Sequence, residues 1–223
     1  MFKISICIPV FNAEDTIIDT INSIKSQKQD LIHEVVICDN SSCDSTLERI
    51  KNCNYSKIKL IKFDKFVSGG ENLQRTIDCA TGDFLFFLGA DDVIDRKTIE
   101  IYHNNLLRNK NLGVISRSYY WFEYENHKLP VRCTKQIKED IILDINSDEK
   151  VIYHFIVSIC QVSGILVKKS LIENKINKRY FIETASVILP LIRESKALLL
   201  GRNTVAVRID SSNTFEKKFY INS

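Results

Sequence analysis

Proline and glycine are scarce in this chain, 3 and 7 residues among 223. That argues against linker-like, collagen-like and low-complexity architectures, which use both residue types to stay flexible or extended. Charge of one sign is missing as well. With 31 basic and 28 acidic residues the formal net charge is +3, so no electrostatic footprint for nucleic acid exists. The small basic excess still suits anionic phosphates or an anionic membrane face. No apolar run approaches the roughly 20 residues that a membrane-spanning helix needs. The opening Met1-Phe2-Lys3-Ile4-Ser5-Ile6-Cys7-Ile8-Pro9 enters a strand at once, without the build of a secretory signal. The expectation is a soluble protein, or one bound at most to a membrane surface.

Metal-ligand spacing is absent too. None of the seven cysteines forms a Cys-x-x-Cys pair, and several sit inside apolar, strand-like runs. Their odd number and scatter fit reduced, mostly buried thiols of a cytosolic protein. His33, His103, His127 and His154 lie far apart and read as structural or surface residues.

What is present is a core. Hydrophobic residues make up 44% of the chain, enough for one large domain or two small ones. In the first half, apolar strand patterns at residues 3–9, 34–39, 58–63 and 84–88 alternate with helical patterns at 13–26, 45–53 and 72–80. The last of these helices is expected to stop at Gly82. Such alternation predicts an α/β fold with parallel strands and right-handed crossovers. The second half is less regular. It predicts a helix over 97–107, an aromatic-rich strand over 113–124, loop and edge strand over 128–145 and a helix over 148–160. A short strand over 164–167, a helix over 186–197 despite Pro190, and a final strand over 197–209 follow. With no repeat and no linker, one domain is the simplest account, with residues 1–95 as a nucleotide-binding half and 96–223 as an acceptor-side half.

The chemistry gathers at strand ends. Phe84-Leu85-Phe86-Phe87-Leu88 runs into Gly89-Ala90-Asp91-Asp92. Unpaired buried carboxylates are costly, so the two aspartates are expected where the strand emerges, facing a cation or a solvated cleft. An Asp-rich helix cap is the structural alternative. Asp39 closes the second strand and could accept hydrogen bonds from a ribose or a base. Ser42, Asp44 and Thr46, which follow it, are commonest as turn and capping residues. The first strand exits through Pro9-Val10-Phe11-Asn12, and Gly69-Gly70-Glu71-Asn72-Leu73-Gln74-Arg75 offers backbone N–H groups, a carboxylate and a guanidinium suited to phosphate or sugar hydroxyls. In an open parallel sheet these strand ends converge on one edge, where ligands bind. The cluster Tyr119-Tyr120-Trp121-Phe122-Glu123-Tyr124 reads as core and edge packing, with sugar stacking as the functional alternative.

Ile8-Pro9-Val10-Phe11-Asn12, Asp39-Asn40-x-Ser42-x-Asp44-x-Thr46, Ala80-Thr81-Gly82-Asp83 and Phe87-Leu88-Gly89-Ala90-Asp91-Asp92 occur in this order and with these gaps. Together they resemble the family-2 inverting glycosyltransferases, whose nucleotide-sugar fold is GT-A. The match covers about the first 95 residues. The resemblance implies that Pro9, Phe11, Asn12, Asp39, Ser42, Glu71, Arg75, Ala90 and Asp91 surround the nucleotide. It further implies that Asp91, with Asp92, holds Mn²⁺ or Mg²⁺ on the diphosphate, and that Arg208 reaches back to that diphosphate. Glu183, in Tyr180-Phe181-Ile182-Glu183-Thr184-Ala185, stands where the family's acidic base would be. The implied partners are a nucleotide-sugar donor, more readily uridine-linked, and a glycan or lipid-linked acceptor. Such an acceptor would bring a cytoplasmic enzyme into peripheral contact with the inner face of the membrane.

Two departures accompany the resemblance. The family's aspartate-x-aspartate reads Gly89-Ala90-Asp91, so its first carboxylate is missing, and Gln74-Arg75 stands where relatives often have an Asn beside a basic residue. Two other readings stay open at this point: a nucleotide-sugar-binding module without catalysis, and a nucleotidyltransferase. The second would carry a Gly-rich basic loop directly after the first strand, which Pro9-Val10-Phe11-Asn12 is not.

Overall fold

The computed structural model describes residues 2–123, 128–133, 137–173 and 184–209. Strands β1 (Ile4–Val10), β2 (Ile32–Asn40), β3 (Ile58–Phe63) and β4 (Phe84–Phe87) lie parallel in the order β3-β2-β1-β4. Helices α1 (Ile17–Lys25), α2 (Thr46–Asn52) and α3 (Gly69–Cys79) connect them. The alternation of strand side chains explains how the layers form. Ile4, Ile6, Ile8 and Val10 of β1 pack in one core with Ile17, Ile21 and Ile24 of α1. Cys7 packs in a second core with Leu73 and Ile77 of α3. Strand β4 divides likewise, Phe84 and Phe86 into the first core, Leu85 and Phe87 into the second. A strand covered on both faces reads as an unbroken apolar run.

The second half widens the sheet. Its elements are β5 (Val93–Ile94), α4 (Thr98–Arg108), β6 (Leu112–Glu123), β7 (Lys128–Cys133), β8 (Ile141–Leu143), α5 (Glu149–Ile159), β9 (Leu166–Lys168), α6 (Lys169–Ile172), α7 (Thr184–Ile188) and β10 (Lys196–Arg208). The order runs on from β4 as β9-β6-β10-β5, with β7 beside β6 and β8 beside β10. Strand β9 is antiparallel to both neighbours, whereas β10 is parallel to β6.

Three local expectations change. Helix α3 starts at Gly69, earlier than the apolar period suggested, because Ser68 and Glu71 form a reciprocal capping box. Gly69 and Gly70 therefore lie in a helical first turn and not in an open loop. Gly82 does not end that helix, which is already extended at Ala80. It is needed for close approach, since a side chain there would press on Ser5 Oγ at 2.6 Å and the Lys3 carbonyl at 2.8 Å. The helix expected over 186–197 is instead α7 followed by a 3-10 segment, Leu189–Arg193, with Pro190 in its first turn, where a missing N–H costs least.

The chain builds outward from β1 through β2 to β3, then returns to place β4 on the other side of β1. Strand order thus reverses between β1 and β4, and the crevice beyond their carboxyl ends is the usual ligand position of such sheets. Pairing of β1 with β4 stops at Cys7 opposite Phe87, whereas pairing with β2 continues to Val10 opposite Asp39. Pro9, with no N–H to donate, lies past the end of the β4 ladder. Among the described residues no helix is long and apolar enough to cross a membrane.

Candidate active site

The loop leaving β1 is bound to the loop leaving β2 by a reciprocal set of hydrogen bonds. Asn12 N–H donates to Ser42 Oγ (2.9 Å), Ala13 N–H to Thr46 Oγ1 (2.7 Å) and Glu14 N–H to Asp44 Oδ2 (3.1 Å). In return Cys43 N–H donates to Asn12 Oδ1 (2.9 Å) and Ser45 N–H to Glu14 Oε2 (2.9 Å). These bonds bend the backbone: Asn12 and Ser41 have φ of 43° and 68°. Positive φ in residues other than glycine gathers at functional sites, where surrounding contacts hold it. Asn12, Ser42, Asp44 and Thr46 are thus engaged in shaping the edge. The multiple bonds to Asp44 hold its carboxyl below the usual range against the opposing effect of burial.

Asp39 ends up fully buried at the tip of β2. Its Oδ2 accepts from Ser42 N–H at 3.1 Å, and its Oδ1 is buried with no hydrogen-bond partner. An orphaned carboxylate oxygen costs about 1–3 kcal/mol or more, so its place at a strand end calls for a donor supplied from outside. Next to it, Asn40 clasps Val67 in both directions: Nδ2 donates to the Val67 carbonyl (2.8 Å) and Oδ1 accepts from its N–H (3.0 Å). Arg75 donates to Asn40 Oδ1 and the Lys65 carbonyl, each at 3.2 Å, and lies over the Phe63 ring at 4.0 Å. The guanidinium expected on phosphate is therefore turned onto the loop at 64–67, and the Glu71 carboxylate onto Ser68 N–H at 3.1 Å. That loop carries Phe66, 54% exposed, whose ring meets the 37% exposed ring of Phe11 edge-on at 4.9 Å. Phe66 is not among the residues expected from the sequence; a lone aromatic inside Asp64-Lys65-Phe66-Val67-Ser68 was the available signal.

The turn after β4 is held from three directions. The Ala90 carbonyl accepts from Thr16 Oγ1 (3.0 Å), the Asp92 carbonyl from Thr20 Oγ1 (2.8 Å) and the Asp91 carbonyl from Arg208 Nε (3.1 Å). Thr16, Asp19 and Thr20 share one face of α1 by helical spacing, and Asp19 Oδ2 receives Arg208 Nη2 at 2.9 Å. Asp92 points inward and is 3% exposed. Its Oδ1 accepts from Arg208 N–H (2.9 Å) and its Oδ2 from Ser163 Oγ, which itself accepts from Gly89 N–H (2.8 Å). Burial, then the Asp91 charge, pushes the Asp92 carboxyl up to about 8. Asp92 is therefore not aimed at the cleft as the expected partner of Asp91, and the Arg208 guanidinium braces the turn instead of reaching into the crevice. Asp91, half-buried, is the more accessible of the two carboxylates.

This packing accounts for Gly89. A Cβ there would lie 2.9 Å from Asp91 Oδ1, 2.9 Å from Asp92 Oδ2 and 3.1 Å from Ser163 Oγ. The space of a first aspartate is already occupied. Among the described residues no group of three or more His, Cys, Asp or Glu could hold a metal unaided. The arrangement fits a hard cation that keeps several waters and takes one protein carboxylate plus substrate phosphates. Glu183, the expected base, lies outside the described residues.

The chain as a whole is similar to known proteins. The glycosyl transferase family 2 model matches residues 5–174. The chain belongs to glycosyl transferase family 2. Over 109 residues it is 30% identical to the UDP-Glc:alpha-D-GlcNAc-diphosphoundecaprenol beta-1,3-glucosyltransferase WfgD of Escherichia coli, covering 48% of this chain and 42% of that one. Over 117 residues it is 33% identical to the amylovoran biosynthesis glycosyltransferase AmsB of Erwinia amylovora, covering 51% and 36%. It thus spans less than half the length of each. The crystal structure of S. aureus TarS 1–349 superposes with a TM-score of 0.74 at 16% identity, over 92% of this chain and 60% of that one. The fold of this family-2 chain is therefore the GT-A fold expected from its motifs.

Proposed function

We propose that this protein is an inverting glycosyltransferase of bacterial glycan synthesis that transfers a sugar from a nucleotide diphosphate, most readily UDP, to an acceptor hydroxyl. The observation that carries this reading is the pairing of a buried, donor-seeking Asp39 Oδ1 with a braced Asp91 at the strand-order reversal. Relatives support the donor class: WfgD is named for UDP-Glc, and TarS 1–349 was crystallised with UDP-GlcNAc. Asp39 would take the N–H of a uracil or a ribose hydroxyl, with the exposed Phe11 ring available to stack on the base. Asp91 would hold Mn²⁺ or Mg²⁺, whose chemistry is to neutralise charge on the departing diphosphate. Glu183 is the candidate base for deprotonating the acceptor hydroxyl as it attacks the anomeric carbon from the opposite face. The diphosphoundecaprenol in the name of WfgD supports a lipid-linked acceptor, reached by peripheral contact at the cytoplasmic face of the membrane.

Release of free UDP from UDP-glucose and UDP-N-acetylglucosamine in Mn²⁺ tests this directly. Metal-dependent release in the wild type, lost in Asp91→Ala, is expected. Glu183→Gln should lower turnover by about 10²–10⁴-fold, the usual contribution of a general base, with UDP affinity unchanged. UDP binding without release from any donor would favour the non-catalytic module. Pyrophosphate release from a nucleoside triphosphate would favour the nucleotidyltransferase.

A further inference from the structure

A cavity of about 420 Å³ opens on the edge of the sheet opposite Asp39 and Asp91. Topology places it there. Strand β6 is parallel to β4 through the antiparallel β9, and β10 is parallel to β6. The starts of β6 and β10 and the end of β9 therefore face away from the carboxyl ends of β1 and β4. Among the described residues, four cations, Lys110, Lys168, Arg193 and Lys196, stand around the cavity against the two carboxylates of Asp144 and Glu194. The described lining thus carries a formal excess of two positive charges.

The cations are exposed, and none of the four is in salt-bridge contact with a carboxylate among the described residues. Asp144 Oδ1 is occupied by its own turn, accepting from Asn146 N–H at 2.9 Å. The walls are fixed backbone: Lys196 N–H donates to the Asn111 carbonyl (3.1 Å) and Ser195 N–H to the Leu191 carbonyl (3.0 Å). Leu112, Leu171 and Ile192 supply apolar lining. The lining is mostly polar and charged, unlike the predominantly apolar pockets that take uncharged small ligands. Cations around a concavity focus a positive potential that concentrates anions, and lysines act on phosphate as point charges.

We propose that this cavity is a second, phosphate-binding site, independent of the nucleotide cleft. It would hold a phosphate ester, either on a small metabolite or in the headgroup of an anionic lipid. Lys168, at the end of β9, and Lys196, at the start of β10 on the far side of β6, are the principal contacts.

The test is titration of the isotope-labelled protein with inorganic phosphate in metal-free buffer, at ionic strength held constant with chloride. Saturable amide shifts at Gly113 and Ser195 are expected, with those of Asn12 and Ser42 unmoved. Affinity should fall by about tenfold or more in Lys168→Glu/Lys196→Glu, as charge-assisted contacts are lost. Lys168→Gln/Lys196→Gln is the milder second variant, and unchanged UDP binding checks that either remains folded. Lysine-dependent sedimentation with phosphatidylglycerol vesicles, but not with phosphatidylcholine vesicles, would assign the phosphate to lipid. Phosphate shifts without vesicle binding would assign it to a soluble ester. No saturable shift at Gly113 and Ser195, or shifts that persist in both double variants, would overturn the proposal.

Discussion

Gly89 and Asp39 each turn on a single atom's surroundings. Gly89→Asp would restore the family's usual acidic motif on paper, yet its side chain would enter space held by Asp91, Asp92 and Ser163. We expect it to weaken Mn²⁺-dependent UDP binding and to lower stability by about 2 kcal/mol or more, from overpacking and like-charge repulsion. Thermal unfolding and metal titration of that variant check this. For Asp39→Asn the fold is expected to persist, because the amide oxygen can still accept from Ser42 N–H, while uridine and UDP affinity drop by about tenfold as one acceptor is lost. Competition of uridine against UDP reads the difference. Strand exits at Pro9, Asp39 and Asp91 were legible in the sequence because an apolar run that turns abruptly polar marks where a buried strand meets solvent. The engagements of Asn12, Glu71, Arg75 and Asp92 were not, since spacing along a chain does not say whether a side chain points into a crevice or across to a neighbouring loop.

Among the elements, α1 is the one whose surface acts on the site without lining it. Thr16 and Thr20 fix two carbonyls of the turn after β4, and Asp19 holds the Arg208 guanidinium that fixes the third. Arg208→Lys keeps a charge but cannot span Asp19 and the Asp91 carbonyl with one rigid fork. It should weaken metal-dependent UDP binding several-fold, with smaller change in metal-free binding. Thr20→Val, which leaves the Asp92 carbonyl without its partner, should cost about 1–3 kcal/mol in urea unfolding. Strands β1, β2 and β4 and helix α1 could be read from the sequence because each buries a largely apolar run or face. Strand β5 and helix α6 escaped, being two and four residues long, too short for any period to show. Pro190 marks the limit of local rules: it permits a 3-10 segment that completes the turn into β10.

For the whole molecule, the mixed second half completes the first by bringing Ser163, ahead of β9, and Arg208, at the end of β10, against the turn after β4. A buried Asp92 ties global stability to pH. Its carboxyl is raised from 3.8 to about 8, first by burial and then by Asp91, against the opposing influence of Ser163, the Arg208 N–H and Arg117. The folded state thus holds the proton more tightly than the unfolded chain. This contribution is complete below about 4 and is lost as pH rises towards about 8. Urea unfolding across that window should show a steeper decline for the wild type than for Asp92→Asn, which mimics the protonated form. The contacts that join Asp92 to Ser163 and Arg208 cross more than 70 residues of sequence, and only folding reveals them. The most direct measurement of the central claim is calorimetric titration of UDP, then GDP, with and without Mn²⁺, on the wild type and Asp91→Ala. The account predicts that UDP binds more tightly than GDP, that Mn²⁺ strengthens UDP binding, and that Asp91→Ala removes the metal's effect. Absence of nucleotide binding under every metal condition, or a metal effect that survives Asp91→Ala, would contradict it.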